Sequence, residues 1–328
     1  MTTPQHTIGS GFGRDSTATE VLAGIDLSGR LAIVTGGYSG LGIETVAALV
    51  AAGAHVVVPA RRPDVAQSAL QVRELDGVEV MPMDLADLTS VRSFAEGFLG
   101  TGRSIDILVN NAAIMASPEV RVGDGWESQF ATNHLGHYVL TNLLWPALVR
   151  DGGARVVSLS SSGHKLSPFR EHDPQFTTSY DKWLAYGQAK TANSLFAVQL
   201  DALGAPHGVR AFAAHPGGIM TELQRHLPRA EMIAAGWMTE DGVVDERFKS
   251  PEQGAATSTW AATSPALEGM GGVYCEDCDI AALTIPGSAT VRTAGVNLHA
   301  IDTAAAALLW SYSAELSGVN AFSEASRL

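Results

Sequence analysis

The sequence predicts an α/β fold, with one doubly wound parallel sheet of about seven strands flanked by helices. Short, continuous apolar runs at 31–34 and 155–159 are typical of strands that a parallel sheet buries on both faces. Such runs alternate with longer helical stretches, as in repeated β-α-β units. A glycine-rich turn also lies directly between the first strand and the first long helix, where open α/β sheets bind ligands.

The predicted elements follow one another regularly along the chain. Pro146 is expected near the end of its helix, because proline disrupts a helix interior. Asp302 is a candidate N-cap for the last helix. Strands are predicted at 31–34, 55–58, 78–81, 105–109, 155–159, 209–213 and 272–274, and helices at 41–52, 65–75, 90–99, 126–148, 180–203, 251–262 and 303–316.

Two segments fall outside this alternation. Residues 1–28 are predicted to form a loosely ordered N-terminal arm with a short helix at 19–22, and residues 29–328 a single domain. Residues 222–249 lack clear periodicity, and so long a connection in a compact domain is typical of a lid or binding segment. Within it, Trp237 and Met238 are the predicted contacts to a bound molecule.

The composition excludes several classes of protein. The net charge of −13 argues against a nucleic-acid or anionic-membrane partner, since both require a basic face. Two cysteines cannot form a disulfide scaffold, and Cys275 and Cys278 are expected to lie in a structural turn as free thiols. The polar residues 1–15 resemble neither a signal peptide nor a membrane anchor, which predicts a soluble, cytoplasmic protein.

The first motif with chemical meaning is Gly-x-x-x-Gly-x-Gly at 36–42. Gly36 permits a sharp turn after the strand, Gly40 permits close approach of the backbone to a pyrophosphate, and Gly42 permits the helix to pack on the sheet. The helix N-terminus then offers free N–H groups to an anion. A glycine turn without a ligand is the alternative, but the strand before it and the helix after it favour nucleotide binding.

The second motif is a tyrosine and a lysine four residues apart on a predicted helix. This spacing places Tyr186 and Lys190 on one face, one turn apart. A nearby ammonium favours the phenolate and brings the tyrosine pKa closer to neutral, as proton transfer requires. Taken alone, the pair is equally typical of an exposed helix surface.

The order of the motifs over residues 29–316 is more specific than any one of them. It resembles the short-chain dehydrogenase/reductase superfamily, which implies a Rossmann-type fold. Strings at 84–88, 133–137, 157–164 and 215–217, and the long separation of Ser161 from Tyr186, resemble its retinol-dehydrogenase-like branch. The motifs are Thr35-Gly36-x3-Gly40-x-Gly42, Asn110-Asn111-Ala112-Ala113, Asn133, Ser160-Ser161, Tyr186-x3-Lys190 and Pro216-Gly217.

The resemblance implies a catalytic role for four residues. Tyr186 would exchange a proton with the carbonyl or alcohol oxygen, and Lys190 would lower its pKa and hold the nicotinamide ribose. Ser161, with Ser160 as the alternative, would hydrogen-bond the substrate oxygen. Asn133 would position a water that supplies protons through Lys190.

The strand at 55–58 continues into Pro59-Ala60, and two arginines follow it. Ala60 stands where relatives that prefer NAD carry an acid, and an arginine can bind a 2′-phosphate, so Arg61 and Arg62 favour NADP(H). The alternative is a solvated helix start, with NAD(H) as cofactor. The resemblance assigns further cofactor contacts to Tyr38, Ser39, Leu41, Asp84, Leu85, Asn110, Ala112, Pro216, Gly217, Ile219 and Thr221.

Several conspicuous residues are predicted to be structural. His215 is expected to pack beneath the nicotinamide turn, whereas His164 is a candidate pocket residue. Trp126, Trp183 and Met115 are expected in the core, and no metal site is predicted.

The sequence therefore predicts an NADP(H)-dependent oxidoreductase that interconverts a moderately apolar ketone or aldehyde and its alcohol. The alternatives are an NAD-linked alcohol dehydrogenase of the same family and a non-catalytic dinucleotide-binding protein. Many retinol-dehydrogenase-like enzymes carry an N-terminal membrane segment that this polar arm does not resemble, so the substrate need not be a retinoid. The helix with Tyr186 pairs in many relatives, which predicts a homodimer or homotetramer.

Overall fold

The computed structural model describes residues 3–323, which fold around one eight-stranded sheet. The strand order is β10-β9-β8-β7-β4-β1-β2-β3. The remaining strands, β5 and β6, form a separate antiparallel pair. The strands are β1 (Leu31–Val34), β2 (His55–Ala60), β3 (Glu79–Pro82), β4 (Ile107–Asn110), β5 (Arg121–Val122), β6 (Trp126–Glu127), β7 (Arg155–Leu159), β8 (Arg210–His215), β9 (Val273–Glu276) and β10 (Asp279–Ile280).

Helices cover both faces of this sheet, so the predicted doubly wound α/β architecture is confirmed. They are α1 (Ala18–Val21), α2 (Gly40–Ala51), α3 (Pro63–Val72), α4 (Leu88–Leu99), α5 (Ser128–Phe130), α6 (Gly136–Leu143), α7 (Trp145–Leu148), α8 (Lys182–Gly204), α9 (Arg229–Ala234), α10 (Pro251–Gly254), α11 (Ala256–Thr263) and α12 (Thr303–Ser317).

Seven strands of the sheet are parallel, as predicted, and the eighth is a short antiparallel addition. β10 pairs with β9 through a tight turn in which Asp277 and Cys278 have φ of 50° and 60°. This turn contains the Cys-x-x-Cys spacing, and both thiols are free and buried. The prediction of a structural turn is confirmed; a two-residue strand was too short to show in the sequence pattern.

The helix predicted at 126–148 is interrupted. Trp126 lies in β6, a π-helical turn occupies 131–135, and α6 ends before Pro146. Pro146 therefore lies in the first turn of the short helix α7 and not near a helix end as predicted. The physical reason is that residues in a first turn need no intrahelical N–H partner, so proline is accepted there.

The N-terminal arm is packed against the sheet edge, and the expectation of loose order is wrong for residues 3–28. The Gln5 amide donates to the carbonyls of Tyr274 and Ala281 at 2.8 and 2.7 Å. The Asp279 carboxylate accepts from three successive backbone N–H groups of the arm, beginning with Ile8 at 2.9 Å. The Gln5 side chain thus satisfies backbone carbonyls at the edge of the sheet. Such contacts have no sequence periodicity, so the sequence did not predict them.

The core consists of two large apolar clusters, one on each face of the sheet. In one of them, α12 packs along α8, and the rings of Phe196 and Trp310 stack with centroids 5.8 Å apart. Most of α8 is buried within its own chain. The homodimer or homotetramer stays a prediction. Over the described residues, no helix is long and apolar enough to cross a membrane.

A buried ion pair joins α8 to β8. The Asp201 carboxylate accepts from Arg210 at 2.8 and 2.9 Å and from the Ala211 N–H at 3.0 Å. We expect Asp201→Ala to lower the free energy of unfolding by about 2–3 kcal/mol, because it leaves a largely buried guanidinium, 16% exposed, without its carboxylate. Urea denaturation measures this loss. Arg30→Ala, which breaks a pair whose arginine is 59% exposed, is the control and should cost less than about 1 kcal/mol.

Candidate active site

A cleft of ≈ 1390 Å³ opens at the carboxyl ends of the parallel strands. This is the edge at which open α/β sheets bind ligands. Most residues predicted for the site line this cleft, although they come from distant parts of the chain. The lining includes Gly36, Tyr38, Ser39, Gly40, Leu41, Arg61, Arg62, Asp84, Leu85, Ala112, Ser161, Tyr186, Lys190, Pro216, Gly217, Ile219 and Thr221.

The glycine loop leaves the start of α2 open to the cleft. Gly36 and Gly40 have φ of +64° and +51°, a region that side chains rarely tolerate. Ser39, the N-cap of α2, makes no side-chain bond to the helix. Across the cleft, Thr221 lies 3.6 Å from where a Cβ on Gly40 would stand. The loop therefore fits a pyrophosphate at a helix N-terminus.

The close packing of helix on sheet that was predicted for Gly42 is found at Gly37 instead, while Gly42 packs against the glycine loop itself. A Cβ on Gly42 would lie 2.3 Å from the Gly36 carbonyl oxygen, so this residue closes the loop on itself and does not line the cleft. A Cβ on Gly37 would meet Val46 of α2 and Val58 of β2, each at 2.8 Å. Gly37 is thus the glycine that permits the helix to approach the sheet.

Thr35 connects the end of β1 to the turn after β4. Its hydroxyl oxygen accepts from the N–H groups of Asn111 and Ala112 at 2.9 and 3.0 Å, and lies 2.8 Å from His137 Nε2. Asn111 lines the cleft, whereas Asn110 is buried and directs its amide toward Thr141 and Ser158. The Asn110 side chain therefore does not line the cleft, and its contact with a cofactor stays a prediction.

Tyr186 and Lys190 lie on one face of α8, as their spacing predicts. Lys190 Nζ is 5.7 Å from the tyrosine ring centroid and donates to the Leu159 carbonyl at 2.9 Å. Burial raises the pKa of Tyr186 to about 12, although the hydrogen bond from the Ser161 hydroxyl acts to lower it. Burial lowers the pKa of Lys190 to about 7. In the protein alone, loss of hydration thus outweighs the predicted lowering of the tyrosine pKa by the ammonium.

The structure distinguishes the two candidate serines. The Ser160 hydroxyl is buried and donates to the Lys190 carbonyl at 2.9 Å, so it fixes β7 to α8. The Ser161 hydroxyl accepts from the Gly163 N–H at 3.0 Å. A Cβ on Gly163 would lie 2.7 Å from Tyr186 Cε1 and 3.4 Å from Ser161 Oγ. Ser161 is therefore the serine beside the phenol, and Gly163, which the sequence did not indicate, permits that approach.

Asn133 lies in the π-helical turn behind the cleft and does not line it. Its carboxamide accepts from the Ile114 N–H at 2.8 Å and donates to the Ile114 carbonyl at 2.9 Å. Its own carbonyl accepts from His137 Nδ1 at 2.9 Å. The side chain thus anchors the loop after β4, and the role of Asn133 in positioning a water stays a prediction.

The two arginines after β2 are exposed at the cleft. Within residues 3–323, neither the Arg61 nor the Arg62 guanidinium has a hydrogen bond or ion pair. Ser39 of the glycine loop lines the same cleft. This donor set fits a phosphate on the adenosine ribose. Asp84 lines the cleft beside the buried Leu85, and its carboxylate accepts from the Ala86 N–H at 3.0 Å.

His215 and His164 both make structural contacts, although His215 also lines the cleft. His215 Nδ1 accepts from the Gly217 N–H at 3.3 Å, so it supports the Pro216-Gly217 turn as predicted. Burial lowers its pKa to about 3, which leaves it neutral. His164 does not line the cleft: its Nδ1 donates to the Ser161 carbonyl at 2.6 Å, and its Nε2 accepts from the Asn297 N–H.

Two tryptophans form an aromatic wall beside Tyr186, Trp183 from α8 and Trp237 from the lid segment 222–249. Trp183 and Trp237 line the cleft and meet edge to face, with centroids 5.9 Å apart. Trp126 and Met115 are buried in apolar clusters as predicted, and Met115 also lines the cleft; Trp183 is only partly buried and lines the cleft, which corrects that expectation. Met238 instead pairs with Val244 in an isolated bridge outside the lining. Residue type alone gave no signal for these placements.

The opposite wall is polar and was not expected from the sequence. The buried Lys249 ammonium lies 2.5 Å from Asp277, and both residues line the cleft. Glu276 also lines it, and its carboxylate accepts from the Gly295 N–H at 2.7 Å. Burial raises the pKa of Glu276 to about 7. These residues come together only through strand β9 and the end of the lid.

Comparison with known proteins gives the family. The short chain dehydrogenase family matches residues 30–232. The chain belongs to the short-chain dehydrogenases. It is 46% identical to a "Probable oxidoreductase" of Streptomyces lividans, which covers 89% of this chain and 98% of that protein. It is 35% identical to mouse "Retinol dehydrogenase 12", over 90% of this chain and 88% of that one.

Solved structures of short-chain dehydrogenases and related proteins share the fold. A putative uncharacterized protein from Mycobacterium paratuberculosis superposes with a TM-score of 0.71 and 33% identity, covering 93% of this chain and 98% of that one. A Pseudomonas aeruginosa RhlG/NADP active-site complex superposes with a TM-score of 0.59 and 25% identity, covering 76% and 95%. The chain is thus an oxidoreductase of the retinol-dehydrogenase-like branch that acts on CH–OH or carbonyl groups.

Proposed function

We propose that this short-chain dehydrogenase interconverts a ketone or aldehyde and its alcohol with NADP(H), and that Tyr186 exchanges the proton. The observation that carries the proposal is the meeting of three groups at one end of the cleft. The Tyr186 phenol lies beside the Ser161 hydroxyl, with Lys190 one helical turn behind it. The cofactor, when bound, supplies or accepts the hydride.

The chain's own residues would orient the substrate and move the proton. Ser161 would bind the carbonyl oxygen, and Tyr186 would donate its proton to that oxygen as charge develops. The Lys190 ammonium would balance the charge left on the phenolate. The glycine loop and the Pro216-Gly217 turn both line the cleft. The loop would bind the pyrophosphate and the turn would bind the nicotinamide end of the same dinucleotide.

The preference for NADP(H) rests on the two free arginines. No carboxylate stands at the end of β2 to repel a 2′-phosphate, because that position is Ala60. An NADP complex is also known for the Pseudomonas aeruginosa relative. The alternative, an NAD-linked enzyme, would leave both guanidinium groups without a ligand, and a panel of ketones, aldehydes and alcohols with both cofactors tests the choice.

The substrate class we infer is a moderately apolar carbonyl compound, because Trp183, Trp237 and Met115 line the cleft near the phenol. We also infer one catalytic domain and a cytoplasmic location. A third possibility, a dinucleotide-binding protein without catalysis, would be supported by tight NADPH binding with no turnover on that panel.

The pH dependence follows from the protonation of Tyr186. Reduction requires the phenol and oxidation the phenolate, and the pKa of Tyr186 is raised to about 12. Below that pKa, each pH unit increases the phenolate about tenfold. We expect kcat/KM for alcohol oxidation to rise from pH 7 to 9, by less than tenfold per unit because the Lys190 ammonium, with a pKa of about 7, is lost over the same range, while carbonyl reduction does not rise. Initial rates at constant ionic strength measure both, and parallel profiles in the two directions would contradict the assignment.

A further inference from the structure

The lid helix α9 is joined to the helix that carries Tyr186 by one carboxylate. Glu231 Oε2 lies 2.6 Å from Lys182 Nζ, and Glu231 Oε1 accepts from Trp183 Nε1 at 2.8 Å. In the described chain, the other hydrogen bonds of α9 stay inside the lid, such as that of Arg229 to the Glu240 carbonyl. Both hydrogen bonds hold the Glu231 pKa below its usual value, so the group is a carboxylate at neutral pH.

Beneath this carboxylate, the lid and the catalytic helix share a small apolar cluster. Leu227 of the lid packs with Met115 and Tyr186, and Met232 and Trp237 pack against them. The Trp183 ring meets Tyr186 edge to face at 6.4 Å and Trp237 at 5.9 Å. The indole that Glu231 binds is therefore the one that touches both the phenol and the lid.

We propose that Glu231 is a positioning residue that fixes the aromatic wall of the substrate cleft and thereby determines affinity for large apolar carbonyl substrates. It acts through Trp183: the carboxylate sets the indole orientation and holds α9 against α8. The pair with Lys182 contributes little alone, since each partner is about a third exposed. The bond from the indole N–H to the charged carboxylate is the stronger restraint. This inference rests on the proposed function.

The first test compares Glu231→Ala with the wild type on acetophenone and acetone. We expect KM for acetophenone to rise about 5- to 20-fold, as the loss of two partly exposed hydrogen bonds would give. KM for acetone, which reaches less of the wall, should change less, and the NADPH KM should stay the same. kcat should hold or rise, because a looser lid releases product faster.

Two further variants separate positioning from general damage. Glu231→Gln keeps an acceptor for Trp183 Nε1 but loses the charge, so its effect should lie between wild type and Glu231→Ala. Asp241→Asn removes one exposed negative charge from the same lid outside the cleft lining and should leave both KM values unchanged. An equal rise in KM for both ketones would overturn the proposal.

A double-mutant cycle tests the route through the indole. Trp183→Phe removes the Nε1 donor and retains most of the ring. If Glu231 acts through that bond, adding Glu231→Ala to Trp183→Phe should raise KM for acetophenone by much less than it does alone. Full additivity of the two effects would show that Glu231 acts elsewhere.

Hydrogen exchange gives a readout that does not depend on turnover. In Glu231→Ala, the amides of 229–234 should exchange faster, while those in the buried part of α8 should not change. If the wild type reduces no carbonyl on the panel, the proposed function fails but this arm still tests the contact. Unchanged exchange at α9 would overturn the positioning role even in an active enzyme.

Discussion

Tyr186→Phe is expected to lower kcat for carbonyl reduction by about 10²–10⁴-fold, the usual contribution of a positioned general acid. The phenol is the proton donor that the site places beside Ser161, and phenylalanine retains the ring that packs with Met115 and Leu227. NADPH affinity should stay close to that of the wild type, because the glycine loop and the arginines are untouched. Steady-state rates and NADPH fluorescence titration measure the two effects.

The control for this variant is Tyr138→Phe. The Tyr138 hydroxyl donates to the Val319 carbonyl at 2.9 Å in the core, outside the cleft lining. Tyr138→Phe removes the same hydroxyl group, and we expect it to cost about 1 kcal/mol of stability with little change in kcat. Near-normal turnover of Tyr186→Phe, or an equal loss in Tyr138→Phe, would remove the tyrosine from the proposed mechanism.

Arg61→Ala is expected to lower kcat/KM with NADPH about 10- to 50-fold and to leave that with NADH nearly unchanged. A guanidinium bound to a phosphate forms a charge-assisted, often bidentate hydrogen bond, and only NADPH carries the 2′-phosphate. Arg61 and Arg62 are exposed, so added salt should also reduce the preference. The pair Arg61→Ala/Arg62→Ala should lose most of the remaining discrimination.

Arg30→Ala is the control. It also removes one arginine, but Arg30 precedes β1 and so lies at the amino end of the sheet strands, whereas Arg61 follows the carboxyl end of β2. Its guanidinium pairs with Asp106 at 2.7 Å, outside the cleft lining. The ratio of NADPH to NADH efficiency should not change in this variant. A wild-type preference for NADH, or an unchanged ratio in the double variant, would favour the NAD-linked alternative.

Much of this protein could be predicted because its signals are local. Alternating apolar runs and helical stretches predicted the sheet, and a spacing of four placed Tyr186 and Lys190 on one face. The glycine loop was recognisable because a strand, a turn and a helix follow one another within about 20 residues. The interruption at 131–135 was missed, because no glycine or proline lies within the π-helical turn to mark it in the sequence.

Contacts between distant segments could not be predicted in this way. Ser160 and Ser161 are equivalent by residue type, and only the packing of β7 on α8 directs one toward the helix and the other toward the phenol. Asn110 and Asn111 differ in the same manner. Trp183 resembles a core residue in the sequence, and only the folded chain shows that it lines the cleft beside Trp237.

The sequence by itself determined the fold class, the glycine loop and the tyrosine–lysine pair, because each depends on residues close together in the chain. Only the tertiary structure decided which serine lies beside the phenol, which asparagine lines the cleft, how the N-terminal arm packs, and that Glu231 reaches Trp183. The physical reason is that these contacts join segments tens to hundreds of residues apart. Their geometry is fixed by the packing of sheet, helix and lid, which no local pattern records.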